Sequence, residues 1–458
     1  MLIGFSVSNF RSFKDNQSIS LKAGKVIRHN NHIIENNDNR FLKTSLIFGA
    51  NAGGKSNLIK AVDFSKGIIL KGLDQIVLRN NYFRLDKSMY KEPAIFQYEL
   101  YIRETEYSYG IAISYETGII LSEWLVEIDK KGKETYIFNR YLDDNNESHT
   151  ETDLFFDDDK NKLIYQFYLD GFGSEISDTY KHKTLLSDIG LRSNAKIGPL
   201  GQIKDVFEWF KNIIIIYPDS KFSSLFEIAS NDKIRNFYTK TMSYFDTGIK
   251  SVEVENTEKD FEVLFNSMSD SVVDNIKNTL ATMNTNSSRL LKVDNQVLEI
   301  YKDELGNLKY RKILLNHGVS SELFEYTDES DGTQRLFDLI PLFLLRENTS
   351  VIFIDEIDRS LHTNLIKEFF DLFYNLVGNN TQLVATTHDT NLLDLDLFRQ
   401  DEIWFIDRRP DNSSKIYSLN KFKERFDKKV EKDYLLGRYG ATPNFNNSIS
   451  LKEELDKE

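Results

Sequence analysis

The run Gly49-Ala50-Asn51-Ala52-Gly53-Gly54-Lys55-Ser56 fits the spacing G-x-x-x-x-G-K-[ST]. It lies between an apolar stretch, Ser45-Leu46-Ile47-Phe48, and a segment with helical patterning, Asn57 to Leu73. Such a strand–loop–helix passage cradles phosphate: glycines let the backbone N–H groups and the helix N-terminus converge on a β-phosphate. In that frame Lys55 supplies a mobile cation for the β and γ phosphates, and Ser56 offers a hydroxyl to Mg²⁺. A second apolar run, Val351-Ile352-Phe353-Ile354, ends in Asp355-Glu356. Asp355 is the expected metal residue and Glu356 the carboxylate that orients an attacking water. Thirty-three residues after Asp355, the run Gln382 to Thr387 ends at His388, which is placed to meet a γ-phosphate or its water. Ser330-Asp331-Gly332-Thr333-Gln334 precedes a helical pattern and reads equally as a second anion site or an ordinary helix N-cap.

These residues need strands that end at one edge. Leu2 to Val7 and Gln17 to Lys22 predict short strands, and Ala94 to Arg140 predicts an antiparallel meander broken at Thr117-Gly118 and Lys131-Gly132. Residues 142 to 162 form a polar, acidic stretch, read as a surface loop or the start of an insertion. Residues 163 to 290 are expected to be mainly helical, interrupted at 212 to 220. Gln296 to Lys302 and Asn307 to Leu315 predict a hairpin, after which helix and strand alternate as in an α/β fold with a largely parallel sheet. The expected organisation is an N-terminal lobe over 1–140 with the phosphate loop and meander, a mainly helical insertion over 141–290, and a C-terminal lobe over 291–458.

Composition narrows the partners. The net charge of −13 excludes a uniformly basic nucleic-acid coat, so any nucleic-acid contact must use a local basic patch. With no cysteine, thiol nucleophiles, disulfides and Cys-ligated metals are excluded, which fits a reducing cytoplasm. No apolar run approaches the length that spans a bilayer, and no leader pattern opens the chain, so neither secretion nor a membrane span is expected. The N-K-x-D motif that reads guanine is absent, which favours ATP over GTP. Asp394 and Asp396 mimic a D-x-D pair within LLDLDLF, which reads more simply as a helix or turn.

The order and spacing of the four motifs resemble the ABC-type ATPase heads of the RecF, SMC and Rad50 group, with Walker A at 49–56, a signature turn at 330–334, Walker B at 351–356 and a switch histidine at 388. Val7-Ser8-Asn9-Phe10-Arg11-Ser12-Phe13 is similar to the N-terminal strand and turn of Rad50-like heads. Within the group the sequence most resembles the AAA15 family, the abortive-infection type that includes the ATPase subunits of the AbiL and PARIS systems. The likeness rests on GANAGGKSNL, ESDGTQRL, DEIDRSLH, TTHDTNLLD, DEIWFIDR and YLLGRYGATP. It implies an ABC-type P-loop head, α/β, with an antiparallel β meander in the N-terminal lobe and a mainly helical insertion.

The resemblance also implies roles. Arg11 and Ser12 would approach the nucleotide, for Arg11 against the alternative of a plain surface cation. Gly49, Asn51, Ala52, Gly53, Gly54, Lys55, Ser56 and Asn57 would bind it, with Ser56 and Asp355 holding Mg²⁺. Lys55, Glu356 and His388 would serve hydrolysis of ATP to ADP and phosphate. Two chains would sandwich two ATPs, Ser330, Gly332 and Thr333 of one touching the γ-phosphate held by the other. Departures from the pattern are Asp331 and Thr333 in the signature and Ala52 where a glycine is common. The Q-loop glutamine of such heads is not placed: Gln97 lies in the meander and Gln202 before the helical region, and neither follows a convincing strand.

The function expected is a cytoplasmic ATP-hydrolysing sensor or switch of an anti-phage abortive-infection system. It would form a homodimer or higher oligomer and control a separately encoded effector such as a TOPRIM-type nuclease, with DNA or a phage protein as trigger. Two other classes fit the same motifs: a RecF- or SMC-like repair or replication accessory that clamps DNA, and a nucleotide-gated scaffold with little hydrolysis.

Overall fold

The structure is a computed structural model; it describes residues 1–143, 145, 147–156, 159–170, 179–193, 198–219, 228, 231–257, 273, 288–293, 296–302, 305, 307–319, 322–345, 350–422, 424–425 and 428–442. Strands β1 (Leu2–Ser8) and β2 (Gln17–Ser20) open the chain, and a small hairpin of β3 (Ile33–Asn36) and β4 (Asn39–Leu42) leads to β5 (Thr44–Phe48) and helix α1 (Lys55–Lys71). The meander is β6 (Ala94–Ile102), β7 (Thr105–Ile113), β8 (Ile120–Ile128) and β9 (Glu134–Leu142), followed by β10 (Ser148–Glu151). Then come α2 (Asp159–Asp170), α3 (Thr179–His182), α4 (Leu185–Arg192), α5 (Gly198–Lys211), β11 (Ile213–Ile216) and α6 (Asp232–Tyr244). Strands β12 (Ser251–Thr257), β13 (Ser288–Val293), β14 (Gln296–Lys302), β15 (Leu308–Asn316) and β16 (Phe324–Glu325) precede α7 (Asp331–Leu339). The chain closes with β17 (Ser350–Ile354), α8 (Thr363–Leu376), β18 (Thr381–Thr386), β19 (Ile403–Arg408), β20 (Ser414–Ser418) and α9 (Val430–Leu435).

The chain divides into two compact units, the first comprising Met1–Pro218, Arg346–Asp358 and Tyr374–Glu458, the second Asp219–Leu345 and Arg359–Phe373. In the first unit, one sheet runs β10-β9-β8-β7-β6-β1-β2 and the other β11-β17-β18-β5-β19-β20. Strands β11, β17, β18, β5 and β19 are mutually parallel, and only β20 runs against its neighbour. This is the α/β head with an antiparallel meander that the sequence predicts. All five residues of β5 and all six of β18 are buried, as expected of parallel strands covered on both faces, and this explains why neither shows an alternation of apolar and polar residues. The meander instead turns at Gly118 and Gly132, whose φ angles of 70° and 80° suit glycine.

Helix α1 joins the two sheets. Its apolar face enters a core shared with Phe5, Phe96 and Tyr98 of the meander sheet and Ile47 of β5. The Ser65 and Tyr98 hydroxyls meet at 2.6 Å, and Lys66 Nζ donates to the Ile213 carbonyl at 2.7 Å. Burying such aromatic side chains stabilises the fold by about 1.5–3 kcal/mol each. A fully buried ion pair, Glu123 on β8 and Arg140 on β9, ties the meander to α4. Glu123 accepts from the backbone N–H of Leu185 at 2.6 Å, from that of Leu186 at 2.9 Å and from the Tyr109 hydroxyl at 3.0 Å, with Arg140 Nε 3.6 Å away. Arg140 Nη1 donates to the Tyr180 carbonyl at 2.7 Å. Thr184, the N-cap of α4, donates its hydroxyl to the Ile69 carbonyl near the end of α1. The helix that starts at the phosphate loop is therefore anchored at its far end by this network.

In the second unit, β12, β15, β14 and β13 form an antiparallel sheet, with β16 beside β15. The described residues of the expected helical insertion are chiefly helical from α2 through α6, apart from β11, and turn to strand at β12, where Val252 and Val254 alternate with polar residues. Within the stretch read as a loop, 148–151 form β10 on the edge of the meander sheet and 159 onward is already α2. Residues 258–272, 274–287 and 443–458, which include the end of the YLLGRYGATP run, lie outside the described residues.

Candidate nucleotide-binding site

Three neighbouring parallel strands deliver the candidate residues to one edge. β5 runs into the loop 49–54, β18 beside it ends two residues before His388, and β17 beyond that ends just before Asp355-Glu356. A cavity of about 730 Å³ is lined by residues Ala50, Asn51, Ala52, Gly54, Lys55, Ser56 and Asn57 together with Glu356 and His388. The loop, Glu356 and His388 thus meet around a single space.

The loop's shape is dictated by what lies behind it. A Cβ on Gly49 would sit 2.3 Å from the Ile406 carbonyl oxygen, and one on Gly54 would sit 2.2 Å from Ser414 Oγ and 2.7 Å from Ser12 Oγ. Gly54 also has φ 112°. Ser414 Oγ donates to the Gly53 carbonyl at 2.6 Å and Ser414 N to the Ser12 carbonyl at 2.7 Å, while Asn57 Nδ2 donates to Ser12 Oγ at 2.9 Å. Ser12 therefore stands against the loop. Arg11 is exposed, with its guanidinium 5.6 Å from the Phe10 ring, and is not among the residues lining the cavity. Ala52 adopts φ 62°, so the position where glycine is common does use the left-handed region, at a cost of about 1–2 kcal/mol for alanine. Arg11 and Glu356 share that region, each with φ 51°. Backbone strain of this kind persists where surrounding structure over-determines it.

The surroundings of Glu356 show how. The Thr386 hydroxyl donates to Asp355 Oδ1 at 2.6 Å and accepts from the Glu356 N–H at 2.8 Å. One buried threonine thus fixes both acids, holding Asp355 through one oxygen. Glu356 and His388 are about one-third exposed, with Oε1 and Nε2 3.6 Å apart. The His388 N–H donates to Asp358 at 3.1 Å. Thr386, Asp358 and Ser414 received no role from the sequence. The first two lie inside motifs already noted, TTHD and DEID, and their position beside known-type residues was the only available signal. No glutamine follows β11, the strand beside β17; Tyr217 follows instead, and its hydroxyl donates to Asp63 of α1 at 2.8 Å.

Lys55 is buried, its ammonium donating to the Gly49 and Ala50 carbonyls at 2.6 and 3.2 Å. Burial pushes its pKa down to about 8, against the pull of Asp358, Asp355 and Glu356. A phosphate ligand binds the protonated form, so ATP affinity should be level below pH 8 and fall above it, by at most about tenfold per pH unit for one linked proton. Calorimetric titration from pH 7 to pH 10 checks this; an affinity that stays level throughout contradicts it.

The donor set suits a hard divalent cation, since Ser56 offers a hydroxyl and Asp355 a carboxylate oxygen beside the one that Thr386 holds. The signature residues belong to the second unit. There Ser330 caps α7, its Oγ accepting from Thr333 N at 3.2 Å and lying 3.0 Å from Thr333 Oγ1. Gly332 is required because a Cβ would come within 2.6 Å of the Ser360 carbonyl oxygen. The N-cap reading of this turn is therefore realised, with Ser330 and Asp331 exposed.

Residues 45–394 match the family described as "AAA domain, putative AbiEii toxin, Type IV TA system". Among solved structures, the chain is similar to an SMC head bound to the C-winged helix domain of ScpA, at 15% identity and a TM-score of 0.40, covering 92% of this chain and 99% of that one. It is also similar to the SMC head domain from Thermotoga maritima, at 13% identity and a TM-score of 0.36, covering 91% of this chain and 98% of that one. No curated protein matches. Among the described residues no helix is long and apolar enough to cross a membrane.

Proposed function

We propose, from the premise that this chain belongs to that AAA-domain family, that it is an ATP-hydrolysing switch of an abortive-infection system against phage, of the AAA15 type, controlling a separately encoded effector. The observation that carries the reading is the convergence of Lys55, Ser56, Glu356 and His388 on one cavity, with Asp355 fixed behind them by Thr386. In this reading the N–H groups of the loop and Lys55 bind and orient the β and γ phosphates. Ser56 and Asp355 would hold Mg²⁺, which when bound neutralises phosphate charge. Glu356 accepts a hydrogen bond from the attacking water and aligns it with the γ-phosphorus, while His388 steadies the same region. Ser330, Gly332 and Thr333 would complete a second chain's site, so hydrolysis would be coupled to dimerisation.

Glu356→Gln should keep ATP binding while turnover falls by about a hundredfold or more, the usual worth of a positioned base. Phosphate release and nucleotide retention measured side by side decide it; wild-type turnover in the variant contradicts the role given to Glu356.

In this reading the chain senses and switches, and the toxic output comes from a separately encoded partner. ATP can govern that partner only by binding the open and closed arrangements with different affinity. Expression of this chain alone should give no phage protection, whereas co-expression with its neighbouring gene should protect, and Glu356→Gln should abolish the effect. Strong protection by the chain alone refutes the two-component reading.

A further inference from the structure

The turn that follows β17 is held by three ties that radiate from one residue at the end of β18. Thr386 donates its hydroxyl proton to Asp355 Oδ1 at 2.6 Å, its Oγ1 accepts from the Glu356 N–H at 2.8 Å, and its carbonyl accepts from the Ile357 N–H at 3.0 Å. The direction of the first two is compulsory, because an ionised carboxylate can only accept and a backbone N–H can only donate. The one hydroxyl proton is thereby committed to Asp355. Thr386 is fully buried and Asp355 nearly so, where water competes little for either bond.

What the hydroxyl adds is geometry rather than attachment. The carbonyl tie to Ile357 and the β17–β18 ladder, which pairs Ile354 with Ala385, already secure the backbone on either side of the two acids. The hydroxyl alone engages the acids themselves. It turns the Asp355 carboxylate so that Oδ1 is occupied and Oδ2 is left for a cation. It also holds Glu356 at φ 51°, a region that a glutamate enters only under restraint. Glu356 then stands at the cavity with Oε1 3.6 Å from His388 Nε2. We propose that Thr386 is a positioning residue for ATP hydrolysis, whose single hydroxyl sets the cation-facing oxygen of Asp355 and the water-facing carboxylate of Glu356 together. The proposal rests on the roles given above to those two acids and deepens them by linking the two functions. Cation affinity and water alignment depend on one side chain, so one substitution should lower both. Phosphate binding should be spared, since the loop takes its shape from Ile406 and Ser414 behind it.

The test compares the full wild-type chain with Thr386→Val, which loses the hydroxyl and keeps the backbone tie, and with Thr386→Ser, which keeps the hydroxyl. A non-hydrolysable ATP analogue is titrated by calorimetry in EDTA and then at rising Mg²⁺, beside steady-state turnover of ATP. In EDTA all three chains should bind the analogue alike. In Thr386→Val the Mg²⁺ concentration that half-saturates the tightening of binding should rise about tenfold, and kcat should fall about 10–100-fold with KM for ATP little changed, the usual worth of a residue that orients a metal ligand. Thr386→Ser should recover most of both. Should Thr386→Val lose thermal stability, Thr386→Ala reads the same hydroxyl. A valine variant that matches wild type in its Mg²⁺ response and in kcat overturns the proposal. So does a serine variant as impaired as the valine one, which would assign the loss to packing, and so does weakened binding of the analogue in EDTA. A wild-type chain that neither binds the analogue nor hydrolyses ATP overturns the underlying ATPase reading and this proposal with it, an outcome that the wild-type control alone tells apart.

Discussion

Lys55→Ala should remove ATP turnover to background and weaken nucleotide binding by at least about a hundredfold, a loss of roughly 2.7 kcal/mol or more. The reason is local. Lys55 is the buried cation at the mouth of a loop otherwise built from backbone, and its pKa is already lowered to about 8 by desolvation. In the proposed reading, a bound triphosphate would take the place of the Gly49 and Ala50 carbonyls that now accept from the ammonium. Alanine leaves the loop's shape intact, because that shape rests on Gly49 against Ile406 and Gly54 against Ser414. Thermal unfolding should therefore stay within a few degrees of wild type while activity disappears, and wild-type turnover in the variant would refute the phosphate-loop assignment. If two chains share each ATP, mixing Lys55→Ala with Ser330→Arg should restore part of the activity. Each variant alone damages both sites, whereas the mixed dimer contains one site with neither defect. Verified heterodimers that remain inactive count against the shared-site arrangement.

The largest stability loss is expected from Glu123→Ala. Arg140 would then lie fully buried without its counter-charge, and two backbone N–H groups at the start of α4 would lose their acceptor. Breaking a buried pair in this way costs about 3–5 kcal/mol. At roughly 2–4 °C per kcal/mol for a unit of this size, the melting temperature should drop by about 10 °C. Replacing both residues with leucine should cost much less than the sum of the two single changes, because no unpaired charge remains. Calorimetry on the four chains decides the matter; a loss below about 1 kcal/mol for Glu123→Ala would mean that water reaches Arg140.

The contrast between these two predictions follows what the sequence makes legible. The phosphate loop, the acids at 355 and 356 and the meander strands are local patterns, each fixed by neighbours within about ten residues, and a reader of the chain can place them. Glu123 and Arg140 look like solvent-facing residues of alternating strands, and only the arrival of α4 some sixty residues later buries them. Thr386 is similar: nothing near it announces that its hydroxyl will hold both Asp355 and the Glu356 backbone. Strand β12 was missed because its two valines are too few to separate from a helical pattern, and its partner β15 lies about sixty residues away. Beside β17 stands β11, whose continuation brings Tyr217 to Asp63, a contact that no local pattern announces.

The position of β5 has a consequence for synthesis. Its two hydrogen-bonded neighbours are β18 and β19, drawn from residues 381–386 and 403–408. When the phosphate-loop strand leaves the ribosome, neither flank exists, and at roughly 5–20 residues per second the first arrives on the order of half a minute later. Until then the strand presents two edges of unpaired backbone groups and uncovered apolar side chains, the kind of surface that chaperones cover and that pairs wrongly with other chains. Pairing across such a separation is also slow to form, because a long loop must close first. Truncation between residues 57 and 380 leaves a chain with its glycine-rich loop intact in sequence and no strand on either side of β5 to hold it, so shortened products should be cleared or aggregate rather than act as partial switches.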